Sequence, residues 1–540
     1  MFEVNDKPFF SLGGQVHNST AYNRADLERA IPSLKLIHAN TIAAPVMWEL
    51  LEPERGVYDF TQLHNLMEVA RANKLKAVVL WFGSWKNGTS HYLPGWLKIQ
   101  KERFVVGADG VPLCCLSAVL RQNLEEERRA FEALMREVCA LNRVEQTVIA
   151  VQINNEPGIL GSDRDYGAEA EALFQQPLPA DLLAWLQAGG DDPVHAAWRA
   201  NGALLKAGWQ AALGLYAGEY FTAYHTARYE QSLAETAKAV CPLPVYVNVW
   251  LKEMYWGIPG ASYPSGGGTH NVLGLWRHFA PDLAAVAPDI YVNDTERYRE
   301  VIRRYARPDN PLYIPECSIS PAGALNLFTA ACEGRLVGVH AFGVDSLLNE
   351  EGTLSAAGAD FAESMAILHS ALPLLTQRTG TLVPVVQQEN VGYQVIDFGD
   401  YLGMIRFFTG GEKAIDPTLE WLDTAHCLMQ PQAARKAAVR GRGLINARAK
   451  NEFFIAGSGF RLLLLPQKSI RQMLSGANMN EWMQTRQWDY LSVEEGYLDD
   501  EQRWYCVRRR NGDETDHGAW VTQDVGLVRV QMNPNAWDDA

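Results

Sequence analysis

Much that would assign this chain to a class is missing from it. Its eight cysteines are scattered, with no CxxC spacing and one adjacent pair, Cys114-Cys115, so neither a zinc site nor a disulfide framework is expected. No apolar run approaches the roughly 20 residues that a membrane-crossing helix needs. No excess of basic residues exists: 48 Lys and Arg stand against 63 Asp and Glu, a formal charge of −15. Nucleic acid and anionic membranes both require a basic face, so neither is the expected partner. No GxGxxG follows an apolar run, which argues against a dinucleotide-binding sheet. The opening MFEVNDKPFF shows no basic stretch followed by an apolar one. No secretory leader is therefore expected, and the reading is cytoplasmic. No repeat or low-complexity tract stands out.

What is present suits a globular protein of more than one domain. The 540 residues are 47% hydrophobic and 21% charged. Eight short apolar runs recur: FFSLGG (9–14), TIAAPV (41–46), AVVLWF (77–82), VIAVQI (148–153), PVYVNVW (244–250), VAPDIYV (286–292), PLYIPEC (311–317) and VGVHAF (337–342). Strands covered on both faces are apolar nearly throughout. Helical patterns lie between them, as in ADLERAIPSLKLI (25–37), FTQLHNLMEVARANK (60–74) and LEEERRAFEALMREVCAL (124–141). Eight such units point to an α/β fold, a (β/α)8 TIM barrel. Two long insertions leave the carboxyl ends of strands: 157–243 after strand four, and 251–285 after strand five, which carries the Gly-rich YPSGGGTHN. After a helix near 359–372 the pattern changes to strand-and-turn segments such as TLVPVVQQ, GYQVIDFG, YLGMIRFF, RLLLLPQ, RWYCVRRR and AWVTQ. Residues 1–372 are assigned to the barrel and 373–540 to a C-terminal β-rich, sandwich-like domain.

Two carboxylates hold the functional reading. AVQINNEPGIL (150–160) ends strand four on Asn155-Glu156 before Pro157-Gly158, and PLYIPEC ends strand seven on Glu316. The carboxyl ends of barrel strands converge on one mouth, so residues far apart in sequence face each other there. Paired carboxyls are the equipment of glycoside cleavage. One is held protonated and donates to the leaving oxygen, while the other is ionised and attacks the anomeric carbon. The plainer alternative is a polar turn closing each strand. Asn155 supplies an amide for a sugar hydroxyl. Further candidate contacts sit after other strands: Trp48 and Glu49; Trp85, Lys86 and Asn87; Trp250; Tyr291; and His17 with Asn18. His270 lies in the Gly-rich loop, where it could swing over the site as a lid. Glu49 as a loop cap and His17 as a structural residue are the competing readings. The triplet Arg508-Arg509-Arg510 reads as a solvated strand edge.

The pattern resembles clan A glycoside hydrolases, whose acid/base follows strand four in an Asn-Glu pair and whose nucleophile ends strand seven. WELLEPERGVYDF (48–60) looks like a segment of β-galactosidases of families 35 and 42. LWFGSWKN, VQINNEPG, YVNVWL, YPSGGGTHNVLGLWR, APDIY and NPLYIPE look like a bacterial family 35-like subgroup with an extra C-terminal β domain, and RRNGDET (509–515) resembles a segment of that domain. The resemblance implies Glu156 as acid/base and Glu316 as nucleophile, with retention of configuration and no metal or organic cofactor. It also implies a tyrosine that donates to the nucleophile, for which Tyr291 is the candidate. The implied partner is a β-galactoside oligosaccharide or glycoconjugate. A homo-oligomer is expected, a trimer by analogy with family 42. Two departures stand out: Asn154, where many relatives have Glu, and Cys317, where the subgroup more often has Ala. Within the enzyme class the alternatives are a β-glucosidase, a β-glucuronidase or a transglycosylase. Outside it, the alternative is a carbohydrate-binding barrel.

Overall fold

A strand buried on both faces needs a closed sheet with helices outside it, and the N-terminal part of the chain builds one. The structure is a computed structural model that describes residues 2–252, 257–349, 351–389, 391–407, 440–467, 490–511, 514–515, 518–521 and 526–534. Eight parallel strands follow one another around the sheet: β1 (Ser11–Gln15), β2 (Thr41–Met47), β3 (Lys76–Lys86), β4 (Val148–Asn155), β5 (Val245–Val249), β6 (Ala285–Pro288), β7 (Ile314–Cys317) and β8 (Gly338–Phe342). β8 pairs with β1. Between β6 and β7 the ring is closed by the Ile290–Cys317 bridge, where Ile290 N donates to Glu316 O at 2.9 Å. All eight strands fall within a residue or a few of the apolar runs, because covering both faces leaves a continuous apolar signal.

Helices α1 (Arg24–Leu36), α2 (Thr61–Ala72), α3 (Arg121–Asn142), α4 (Ala217–Val240), α5 (Leu273–Phe279), α6 (Thr295–Tyr305), α7 (Pro321–Glu333) and α8 (Ala356–Ser370) form the outer ring. The starts of α1, α6 and α7 follow from capping side chains. Asn23 accepts from Asp26 N ahead of α1, Asp294 from Arg297 N ahead of α6, and Ser320 from Gly323 N ahead of α7. The barrel interior is filled by Ala43, Met47, Val78, Leu80, Phe82, Ile149, Tyr246 and Tyr313, with Phe2 of the N-terminal hairpin packed against them. Gly13 on β1 belongs to this packing. A Cβ there would lie 2.6 Å from the buried His340 ring and 2.7 Å from Thr41 O.

The insertion after strand four is shorter than 157–243. Its own helices are Ala168–Gln175, Ala180–Ala188, Pro193–Ala200 and Trp209–Leu213, whereas α4 is the barrel's fourth helix and packs on α3. α4 is buried around most of its circumference, which hides the one-sided stripe that marks a surface helix.

Beyond α8, two antiparallel sheets stack as a sandwich. One runs β9 (Thr381–Val386), β12 (Arg442–Ala449), β13 (Glu452–Ser458), β18 (Leu527–Met532), β15 (Tyr490–Leu498), β16 (Trp504–Arg510). The other runs β10 (Tyr393–Asp397), β11 (Tyr401–Phe407), β14 (Phe460–Pro466), β17 (Ala519–Val521). Val385, Ile445, Phe453, Ile455 and Val530 meet Ile405, Phe407, Phe460 and Leu462 in the core between them. Arg510 departs from the solvated edge expected of the arginine triplet. Its side chain is buried, pairs with Glu495 and donates to Trp520 O. Residues 512 and 513 of the RNGDET turn, and Cys427, lie outside the described residues. Among the described residues no helix is long and apolar enough to cross a membrane.

The sandwich is tied to the barrel through Arg442. Its side chain is 1% exposed, pairs with Asp360 of α8, and donates to Asp360 O and Ser364 Oγ, each at 3.0 Å. Removing one partner of a buried pair strands the other charge, at a cost of about 3–5 kcal/mol. Arg442→Ala is therefore expected to lower the urea midpoint of the sandwich and of the barrel helix together; an unchanged midpoint would show that this contact does not join them.

Candidate active site

The carboxyl ends of the barrel strands surround a cavity of about 390 Å3. Glu156, Glu316 and Asp289 line it, with Lys86 and Asn87 from the end of β3, and Trp250 and Tyr291 on its walls. Local backbone geometry delivers Glu156. Asn154 (φ 56°) and Glu156 (φ 48°) both adopt the left-handed region, which turns the chain sharply as β4 ends. Glu156 N donates to Asn248 Oδ1 of β5 at 3.1 Å, and fixes that turn. Asn154 faces outward: its Nδ2 donates to Glu230 of α4 at 2.9 Å, and its Oδ1 accepts from Trp85 N at 3.1 Å. Asn154 thus takes no place in the cavity.

The two glutamates have different surroundings. Glu316 Oε1 accepts from Gln15 Nε2 at 2.9 Å and from Asn155 Nδ2 at 3.3 Å, with Asn248 Nδ2 at 3.5 Å. Its Oε2 accepts from Tyr291 OH at 2.8 Å. Such a set of donors suits an ionised carboxylate. Burial is the main reason that Glu156 is pushed up to about 7, and the nearby Glu316 charge adds to it. Lys86 and a hydrogen bond with Asp289 oppose the rise. The Lys86 ammonium donates to Asn155 Oδ1 at 2.9 Å and so orients the amide that reaches Glu316. One buried carboxyl is therefore poised to carry a proton beside another whose oxygens are met by four side-chain donors, the arrangement needed to protonate one atom while attacking its neighbour.

The Tyr291 hydroxyl is pushed up by burial and by the Glu316 charge, so it stays a donor. A hydrogen bond to a charged group contributes about 1.5–3 kcal/mol, equivalent to roughly 10–100-fold in rate. Tyr291→Phe is expected to lower kcat by that factor with little change in KM, measured on an aryl glycoside. An equal rise in KM would assign the hydroxyl to substrate binding instead. Trp250 and Tyr291, 38% and 44% exposed, present aromatic surface to the cavity.

Other candidates lie elsewhere. Trp48 is fully buried in the short helix after β2, with its Nε1 donating to Glu52. That helix turns Glu49 to accept from Tyr22 OH at 2.7 Å and from Lys98 at 2.9 Å. Trp85 is buried against Tyr229. His17 bonds Ser346 and packs on Phe342, while Asn18 lies beside Tyr92. His270 is not poised as a lid. Residues 263–269 of its loop are buried. A Cβ at Gly266 would lie 2.5 Å from Thr222, and one at Gly267 would lie 2.6 Å from Pro157 O. His270 Nε2 accepts from Arg304 at 2.6 Å and faces a separate depression with Trp185 and Arg277.

Gln15, Asn248 and Asp289 were not singled out from the sequence. Asn248 and Asp289 are lone polar residues in or just past an otherwise apolar strand, and Gln15 is the polar last residue of β1; that is the available signal. Among the described residues, no group of three or more His, Cys, Asp or Glu is disposed to hold a metal ion.

Residues 17–191 match the family model described as Beta-galactosidase, and residues 361–522 match a domain of unknown function. A curated beta-galactosidase from Xanthomonas manihotis is 27% identical over 184 residues, 32% of this chain and 28% of that protein. Among solved structures, the catalytic domain of a beta-amylase from Paenibacillus polymyxa superposes with a TM-score of 0.50 at 12% identity, over 66% of this chain and 98% of that one. A beta-galactosidase from the haloarchaeon Halorubrum lacusprofundi gives 0.49 at 17% identity, over 67% and 58%. The chain thus spans just over a quarter of the curated relative and under two thirds of the haloarchaeal enzyme. Over residues 17–191, from the end of β1 past Glu156, this chain is similar in sequence to the beta-galactosidase family, and it carries that segment on a (β/α)8 barrel.

Proposed function

We propose that the protein is a retaining exo-acting β-glycosidase that removes a non-reducing terminal β-galactose. One observation carries this reading: Glu156 and Glu316 line one cavity, the first pushed up to about 7 and the second held by four side-chain donors. In the first half-reaction, Glu316 attacks the anomeric carbon while Glu156 gives its proton to the leaving oxygen. In the second, Glu156 takes a proton from water as that water displaces Glu316. Asn155 and Lys86 orient the sugar hydroxyls, and Trp250 offers an apolar face for the ring. The choice of galactose rests on the family similarity over residues 17–191.

Residues 1–372 form the catalytic unit in this reading and 373–540 a supporting β unit. The substrate is a β-galactoside oligosaccharide or glycoconjugate, the assembly a homo-oligomer and the compartment the cytoplasm. A panel of 4-nitrophenyl α- and β-glycosides tests the assignment. Preference for the β-galactoside is the expected result. Preference for a β-glucoside or β-glucuronide would move the sugar and keep the mechanism, and hydrolysis of α-glycosides alone would reject both.

A further inference from the structure

Asp289 ends the β6 segment inside the barrel mouth. It is 3% exposed and lines the cavity together with Glu156 and Glu316. Its Oδ2 accepts from Asn248 Nδ2 at 2.7 Å. Its Oδ1 is buried, and among the described residues no N–H group or hydroxyl donates to it. The titratable groups around it are the acids Glu156 and Glu316, the Lys86 ammonium, the hydroxyls of Tyr246, Tyr291 and Tyr313, and the Cys317 thiol. An ionised carboxylate is ill placed here. One oxygen would be an unpaired buried acceptor, and two further carboxyls would repel it. A proton on Oδ1 removes both penalties and turns that oxygen into a donor. Of the side chains around Asp289, the Glu156 carboxyl is the acceptor it interacts with by hydrogen bonding.

We infer that Asp289 is a positioning residue that stays protonated through turnover and donates its Oδ1 hydrogen to the Glu156 carboxylate. The inference rests on the acid/base role proposed for Glu156. Proton accounting is simple. Glu156 passes its own proton to the leaving oxygen as the bond from C1 to that oxygen breaks and the bond from C1 to Glu316 forms. Asp289 then stabilises the resulting carboxylate by hydrogen bonding alone. In the second step the water oxygen bonds to C1, the bond to Glu316 breaks, and the water proton goes to Glu156. Asp289 keeps its proton throughout. Burial, then the charges of Glu316 and Glu156, push Asp289 well above the usual carboxylate range, in agreement with this placement. The same hydrogen bond opposes the rise of Glu156 and so keeps that group usable as both acid and base.

Two readouts test it on the full chain. The first is infrared difference spectroscopy of 13C-aspartate-labelled wild type against Asp289→Asn. A carboxylic-acid carbonyl band that survives to pH 8 and is absent from the variant supports the inference. A band that titrates away near the ordinary Asp value of about 4 overturns it. This readout needs no turnover, so an intact band in a protein that hydrolyses no glycoside would reject the glycosidase reading and leave Asp289 protonated. The second is the pH profile of kcat/KM. Asp289→Asn keeps a donor in place, so its alkaline limb is expected to stay put while kcat falls several-fold. Asp289→Ala, with its fold checked by circular dichroism, is expected to move the limb to higher pH and slow deglycosylation by roughly 10–100-fold. A limb that shifts to lower pH in Asp289→Asn would mean that the aspartate is ionised, and would overturn the inference.

Discussion

Glu316→Ala is expected to lower hydrolysis of an aryl β-galactoside by about 10^4-fold or more, because removal of a nucleophile takes with it the whole covalent route. The structure gives this expectation a second, independent part. The Glu316 charge is one of the two causes that hold Glu156 up at about 7. With that charge gone, Glu156 is expected to come down toward the ordinary carboxylate range, and the alkaline limb of any residual or rescued activity should fall with it. Azide added to the variant fills the vacated space and attacks the anomeric carbon from the nucleophile's face, so the product should be the α-galactosyl azide. A variant that keeps most of its activity would place the nucleophile elsewhere.

Glu156→Ala is expected to behave differently, and the difference identifies the roles. General acid assistance contributes about 10^2–10^4-fold, and it matters most when the leaving group is poor. The variant should therefore lose that factor with a natural saccharide and lose far less of the first step with a dinitrophenyl leaving group. Azide should now intercept the glycosyl-enzyme and yield the β-galactosyl azide. In the wild type, kcat/KM should fall as pH rises through about 7, where Glu156 loses its proton, and this limb should be absent from the variant. The same shift bears on stability. Because the folded value lies above the unfolded one, the contribution of neutral Glu156 is full below the ordinary Glu range and is lost as pH rises to about 7.

The parts of the fold that were legible in the sequence are those where burial leaves a simple pattern. TIAAPVM and VIAVQINN are buried at every position, and the apolar stretches IAAPVM and VIAV within them mark both strands. β15 is the opposite case. YLSVEEGYL carries Glu494 and Glu495 in mid-strand, and they are tolerated because Arg509, Arg508 and Arg510 of the neighbouring β16 pair with them across the sheet. That compensation is invisible without the register. β12 and β13, RGLINARA and EFFIAGS, lack a clean alternation for a similar reason, since polar contacts hold Arg442 and Glu452 at their starts and Asn446 in mid-strand.

The site divides in the same way. Glu156 and Glu316 stand at strand ends, where polar residues announce themselves. Asp289 reaches the cavity from just past β6, while Gln15 and Asn248 reach its carboxylates from within β1 and β5, and only the barrel's closure turns those positions inward. Trp48 and Glu49 follow β2 closely enough to suggest the mouth, yet a single helical turn carries them into the core and onto Lys98. Nearness to a strand end is thus necessary for a site residue and does not suffice.

The most direct test of the central claim is the stereochemistry of the first-formed sugar, followed by proton NMR as the wild type cleaves an aryl β-galactoside. Two displacements, by Glu316 and then by water, require β-galactose to appear first and the α-anomer to grow in only by mutarotation. Release of α-galactose first would mean a single displacement by water, and would contradict Glu316 as nucleophile.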